Sequence, residues 1–192
     1  MSSCFNLCPE QNQLNAERCA ELGISGRVDI TLGDFNKPWP AEWADAFDYI
    51  WSAEALCHAG DKTQLFGQLT RCLRKGGIVV FSDIMGSDTA EEEQLRAFTS
   101  RNATTALGRP SEYEALLKAA GLTRVAWWDN SQHLERYFRS MLSQIEAHQE
   151  QLVSQGVSQA YLDKWRASLT ERADTQAAHH VFTWGVFVAR KD

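Results

Sequence analysis

No apolar run in the 192-residue sequence approaches the roughly 18 to 20 residues that a membrane-crossing helix needs, which argues against an integral membrane protein. Positive charge is also scarce. Nineteen Lys and Arg stand against 25 Asp and Glu, a formal net charge of −6. A nucleic acid or an anionic membrane would require a basic face to displace counterions, so neither is expected as a partner and a small molecule is. The five cysteines (Cys4, Cys8, Cys19, Cys57 and Cys72) contain no C-x-x-C pair, are odd in number and lie in the first half. That pattern disfavours a disulfide framework or zinc ribbon, and reduced thiols are expected. The opening MSSCFNLCPEQ has neither a basic stretch nor a continuous apolar one, so a signal peptide is not indicated and a cytoplasmic location is expected. Internal repeats and low-complexity linkers are missing as well, and the length fits a single domain over 1–192.

What is present is an alternation of short β-rich runs with longer helical segments, the pattern of parallel βαβ units in an α/β fold. Residues 4–7 read as a strand remnant, followed by a helix from Pro9 to about Leu22 that Gly23 closes. Strands are expected at Val28–Leu32, Phe47–Ser52, Ile78–Ser82, Leu122–Trp128 and His180–Ala189. Between them, helical spacing covers Lys62 to Arg74, with Gly76-Gly77 as its stop, a helix from about Ala90 and another over Ser111–Ala120. Two long helical stretches, about Ser131–Ser154 and Gln159–Arg172, precede the last strand. The adjacent His179-His180 is expected in that strand on opposite faces, a poor arrangement for one metal ion.

Three ordered blocks bear a likeness that spans nearly the whole chain. They are FNLCPEQNQLNAERCAELGISGRVDITLGDF, FDYIWSAEALCHAGDKTQLFGQLTRCLRKGGIVVFSDIM and the C-terminal TWGVFVARK. Together they resemble the class I S-adenosyl-L-methionine (SAM) dependent methyltransferases of the small-molecule branch, most closely the sarcosine/dimethylglycine N-methyltransferases. The resemblance implies a Rossmann-like sheet with helices on both faces, helical cap elements around 90–120 and 131–172, and a last strand that runs antiparallel. It further implies SAM as cofactor, with S-adenosyl-L-homocysteine as product.

Ligands in open α/β sheets sit over the carboxyl ends of strands, where the polar residues of these blocks fall. Asn6 can donate to and accept from ribose hydroxyls, and the resemblance adds Gln11. Asp34 can accept from an adenine amino group while Phe35 packs on the ring, although a Gly-Asp-aromatic turn is also an ordinary Asx turn. The resemblance places Ser52 and Ala53 at the cofactor and Trp51 and Glu54 at the substrate, Glu54 being able to orient a cationic amine. Trp51 reads equally as plain core and Glu54 as a solvated loop acid. His58, in LCHAGD, and Asp83, ending FSD, are the catalytic candidates. Histidine changes charge near neutral pH and suits a base, and in the sugar O-methyltransferases of this branch the matching pair takes a hydroxyl proton. Tyr113, Tyr137 and Arg109 can reach a substrate from the cap, Tyr113 being the substrate-binding candidate among them, or lie on helix surfaces. Trp127, Trp128, Phe182, Trp184 and Phe187 read as core and sheet packing.

The departure from the branch is the absence of a glycine-rich turn upstream of Asn6, together with the strand that precedes it. Three readings follow: a fragment of a longer enzyme, a homo-oligomer or partner chain that completes the sheet, or a noncatalytic homologue acting as an interaction subunit. Small-molecule O-methylation is the alternative chemistry. A dehydrogenase is a poorer fit, since no dinucleotide fingerprint is present.

Overall fold

The computed structural model describes residues 1–102, 104 and 107–192, which divide into two compact units, Met1–Trp43 and Ala44–Asp192. The expected cap element around 90–120 therefore falls partly outside the described residues. No helix among them is long and apolar enough to cross a membrane.

In the first unit, β1 (Ser2–Asn6) and β2 (Val28–Leu32) pair in parallel, with Cys4 opposite Ile30, and α1 (Pro9–Glu21) makes the crossover. Pro9 occupies the first turn, where its missing N–H costs nothing, and Glu10 sits at the positive helix end. Gly23, at φ 67°, ends the helix in the left-handed region and lets Ile24 N reach back to Cys19 O (2.9 Å). Beyond β2, Phe5, Phe35, Trp39 and Trp43 form an aromatic cluster with neighbouring ring centroids 5.3 to 6.3 Å apart. Gly33 is required there by packing: a Cβ would lie 1.8 Å from the Phe5 ring.

The second unit holds β3 (Phe47–Ala53), α2 (Lys62–Cys72), β4 (Leu73–Gly86), α3 (Glu92–Asn102), α4 (Pro110–Ala119), β5 (Leu122–Asp129), α5 (Leu134–Ala147), α6 (Gln149–Ser154), α7 (Gln159–His179) and β6 (Phe182–Lys191). Its sheet runs β3-β4-β6-β5, with β3 parallel to β4 and β6 antiparallel to both of its neighbours. The antiparallel last strand is the one TWGVFVARK implied. Asp61 starts α2 by accepting from Gln64 N (2.9 Å), an ordinary N-cap.

β4 is the buried centre, with Val79, Phe81, Asp83 and Met85 fully enclosed, and an aromatic stack runs from Phe81 through Phe187 to Trp127. A second apolar cluster gathers Phe98 of α3, Phe138 of α5, Leu162, Leu169 and Ala173 of α7, and Phe182 of β6. Gln176 ties α7 to β6 by accepting from Phe182 N (2.8 Å) and donating to Phe182 O (3.1 Å).

Several boundaries differ from the sequence reading, and the stretch expected over Ser131–Ser154 divides into α5 and α6 at His148. Gly76-Gly77 does not stop α2, which ends at Cys72; the pair lies within β4, beside a register shift against β3, and Gly77 is held by close approach to Arg74 O and Phe47 O. β4 runs on to Gly86 because β6 pairs with it throughout that length. α7 extends to His179 and His180 is its left-handed cap at φ 51°, so the two histidines end a helix rather than alternate along a strand.

Candidate active site

A cavity of about 550 Å³ opens in the second unit at the carboxyl end of β3 and β4. Glu54, Cys57 and His58 come from the segment after β3, and Ile84 from β4. The remaining wall comes from helices and the last strand: Phe98, His133, Leu134, Tyr137, Phe138 and Met141, then Trp165 and Arg172 of α7, and Trp184 of β6.

Among the described residues, Glu54 is one of three non-glycine residues with positive φ, at 51°, and the only one of them that lines the cavity. Its N–H donates to Ser82 O (2.9 Å), which holds the turn. Its Oε1 accepts from Ser82 Oγ (2.8 Å) and from Trp184 Nε1 (2.7 Å), bonds that reach 28 and 130 residues along the chain. A strained backbone that aims a carboxylate into a cavity at a strand end is a functional signature. His58 closes the 3-10 turn Leu56–His58 and stands exposed on the same wall.

Asp83 lies elsewhere. It is fully buried, does not line the cavity, and accepts a 2.5 Å bond from the Tyr113 hydroxyl. Burial pushes its carboxyl up to about 7; the Glu54 charge adds to the rise and the Tyr113 bond opposes it. The Cys57 thiol is a close neighbour and is itself pushed up by burial and by the charge of Asp83. That thiol points to Glu54 O at 3.9 Å, and Asp83 Oδ1 has no donor within hydrogen-bond reach among the described residues. Tyr113 is enclosed by Phe66, Phe81 and Phe187, which burial and the Asp83 charge make a very weak acid. Of the two catalytic candidates, then, His58 reaches the cavity and Asp83 sits beneath it with Tyr113.

The remaining sequence candidates are placed as follows. Trp51 is 73% exposed on β3 and is not part of the cavity. Ser52 is half-buried and Ala53 exposed at the end of the same strand. In the first unit, Asn6 and Gln11 meet directly, Asn6 Nδ2 donating to Gln11 Oε1 (3.0 Å). Asp34 Oδ1 accepts from Asn36 N (2.8 Å) and Nδ2 (2.9 Å), and the backbone bond above all holds its carboxyl below the ordinary range. An ionised acceptor beside Phe35, with an amide pair at the neighbouring strand end, has the donor and acceptor set a nucleoside needs. Arg109 serves the fold, bridging Ala90 O (2.8 Å) and Glu92 (3.1 Å).

Sequence reading missed Trp184, Arg172, Trp165 and His133. Trp184 looked like one more sheet aromatic. A signal for Arg172 was present, since it falls in the buried row Leu162, Leu169, Arg172, Ala173 and Gln176 of α7, where a cation is out of place.

A family model described as "Methyltransferase domain" matches residues 5–127. The chain is 29% identical over 190 residues to a glycine/sarcosine/dimethylglycine N-methyltransferase of Actinopolyspora halophila, covering 98% of this chain and 33% of that protein. It is 26% identical to a sarcosine/dimethylglycine N-methyltransferase of Aphanothece halophytica, covering 98% of this chain and 66% of the relative. This chain thus spans between one third and two thirds of the length of these relatives. Among solved structures, a candidate sarcosine dimethylglycine methyltransferase from Galdieria sulphuraria superposes with a TM-score of 0.89 at 23% identity, over 99% of this chain and 68% of that one.

Proposed function

Because the chain belongs to the methyltransferase-domain family, we propose that it transfers a methyl group from SAM to the nitrogen of a small amine of the sarcosine or dimethylglycine type. The observation that carries this reading is Glu54, a carboxylate fixed by two hydrogen bonds on the wall of an aromatic-lined cavity.

SAM supplies a methyl group on a sulfonium sulfur, open to in-line displacement by a lone pair. The protein's work is chiefly alignment, which can remove about 7 to 11 kcal/mol of barrier. Positive charge grows on the amine nitrogen as the new bond forms, and the Glu54 carboxylate favours that charge. Trp184 and Tyr137 line the same cavity, and aromatic rings suit a methylated ammonium in the same way. A dimethylated amine has no N–H once its lone pair is free, so His58 is needed only to accept the proton of the incoming ammonium. Asp83 and Tyr113 lie beneath, beside the Cys57 thiol of the turn that carries Glu54. For the cofactor we propose Asn6 and Gln11 at the ribose hydroxyls, Asp34 and Phe35 at the adenine, and Ser52 and Ala53 as further contacts.

A second reading rests on β3. Among the described residues its only hydrogen-bonded neighbour is β4, and Tyr49 and Trp51 on that strand are 72% and 73% exposed. Such an edge accepts another strand, so a second chain, of this protein or of a partner, would complete the sheet there. Calorimetric titration with S-adenosyl-L-homocysteine tests the main reading. One-to-one binding is expected, and no heat at millimolar ligand would overturn it in favour of an interaction subunit.

A further inference from the structure

Asp83 is fully enclosed on β4, and its two oxygens are unequally served. Oδ2 accepts from the Tyr113 hydroxyl at 2.5 Å, while Oδ1 meets no donor among the described residues. A carboxylate so placed has lost its water and gained one hydrogen bond, which favours the neutral acid and leaves Oδ1 to carry the proton. Burial accordingly brings its titration up to about 7, opposed by the Tyr113 bond and supported by the Glu54 charge.

The surroundings of Asp83 decide what can move that balance. Among the described residues, the titratable groups that face it are Tyr113 from α4, Glu54 and Cys57 from the segment after β3, and Lys62 from α2. Its partner across β6 is Gly185, which brings none. Burial and the Asp83 charge keep Tyr113 and Cys57 neutral. Lys62 donates to Ala59 O (3.3 Å) and does not line the cavity. Of the four, Glu54 is the one that both carries a charge and stands on the cavity wall. Its Oε1 is held by Trp184 Nε1 (2.7 Å) and by Ser82 Oγ (2.8 Å), and Ser82 is the residue immediately before Asp83. The Glu54 charge is therefore kept close to Asp83 and opposes its ionisation, and a cation paired with Glu54 cancels that opposition.

Resting on the reading that the cavity takes a cationic amine, we propose that Asp83 is a proton switch coupled to the cavity through Glu54: pairing of a ligand cation with Glu54 makes Asp83 release its proton to solvent, and departure of the cation restores it. One positive charge enters and one leaves, so the site keeps its net charge. Linkage works in both directions, and the cation binds more tightly once Asp83 is ionised.

His58 shares the cavity wall, so the readout has to be specific for a carboxyl rather than a count of protons. Infrared difference spectroscopy at pH 7 meets that need, with choline, a permanent cation, set against 3,3-dimethylbutan-1-ol, its uncharged isostere, and with binding of choline followed by calorimetry. Choline is expected to remove the carbonyl band of a protonated carboxyl and add a carboxylate band, and the isostere to leave both unchanged. Asp83→Asn keeps an oxygen for Tyr113 and has no proton to lose, so the change should disappear in it. It should disappear in the native protein at pH 9 as well, where Asp83 is already ionised. An unaltered carboxyl band with choline bound, an equal loss with the isostere, or a loss that persists in the folded variant would overturn the proposal. If the variant does not fold, a loss that persists at pH 9 has the same force. Failure of the switch leaves choline binding intact, whereas a cavity that takes no cation shows no choline binding at all and removes both readings.

Discussion

At the scale of residues, the two carboxylates read from the sequence have separate tasks, and each makes a measurable prediction. Glu54→Gln preserves an oxygen for Ser82 and Trp184 while removing the charge that favours the ammonium. Turnover is expected to fall about 100- to 1,000-fold with little change in KM, as steady-state kinetics would record. His58→Ala should cost a tertiary amine substrate far less than the ~100-fold or more that loss of a general base carries, and a full loss would point to a hydroxyl acceptor instead. Asp83 governs stability. Its carboxyl is raised to about 7 by burial, so the folded state holds a proton that the unfolded state has released from about pH 4 upward. Stability therefore declines as pH rises through that window, by on the order of a few kcal/mol, and the full cost is present above pH 7. Urea denaturation at pH 5 and pH 8 should show this decline in the native protein and a flatter profile in Asp83→Asn. Sequence alone could place Asp83 at a strand end but not beneath the cavity, because Tyr113, which meets its carboxylate there, is 30 residues away.

Elements explain why the fold was more legible than the site. Apolar periodicity, Pro9, Gly23 and Pro110 marked most strands and helices within a few residues, since those signals are local. Gly76-Gly77 misled for a physical reason. A glycine pair stops a helix only when the chain needs a left-handed turn there, and here Leu73 already belongs to the strand. Trp184 and Arg172 escaped notice because their meaning depends on Glu54 and Phe98, distant partners that packing brings within reach. The junction of α7 with β6 is the element-scale test. Gln176→Ala would strand a buried N–H and C=O of Phe182, each at about 1 to 3 kcal/mol, and should lower the urea midpoint while leaving the denaturant slope unchanged. Gly185→Ala should destabilise as well, because a Cβ would meet Trp128 O at 2.3 Å and the Trp127 ring at 2.4 Å.

For the whole molecule, the two units differ in how much they bury. Cys19 is the only buried residue of Met1–Trp43, and a two-stranded sheet with one helix is marginal alone, whereas the second unit has a four-stranded sheet and two apolar clusters. Hydrogen exchange should accordingly find the amides of β1 and β2 far less protected than those of β4 and β6. Addition of S-adenosyl-L-homocysteine should slow exchange around Asn6 and Asp34 if those residues hold the nucleoside. The chemistry of the cavity is the central claim, and methyl-13C-labelled SAM tests it most directly when incubated with the protein and dimethylglycine. Carbon NMR is expected to show the label in a trimethylammonium group on the substrate nitrogen. Label on oxygen, or no labelled product in a protein that binds both ligands, would contradict the account.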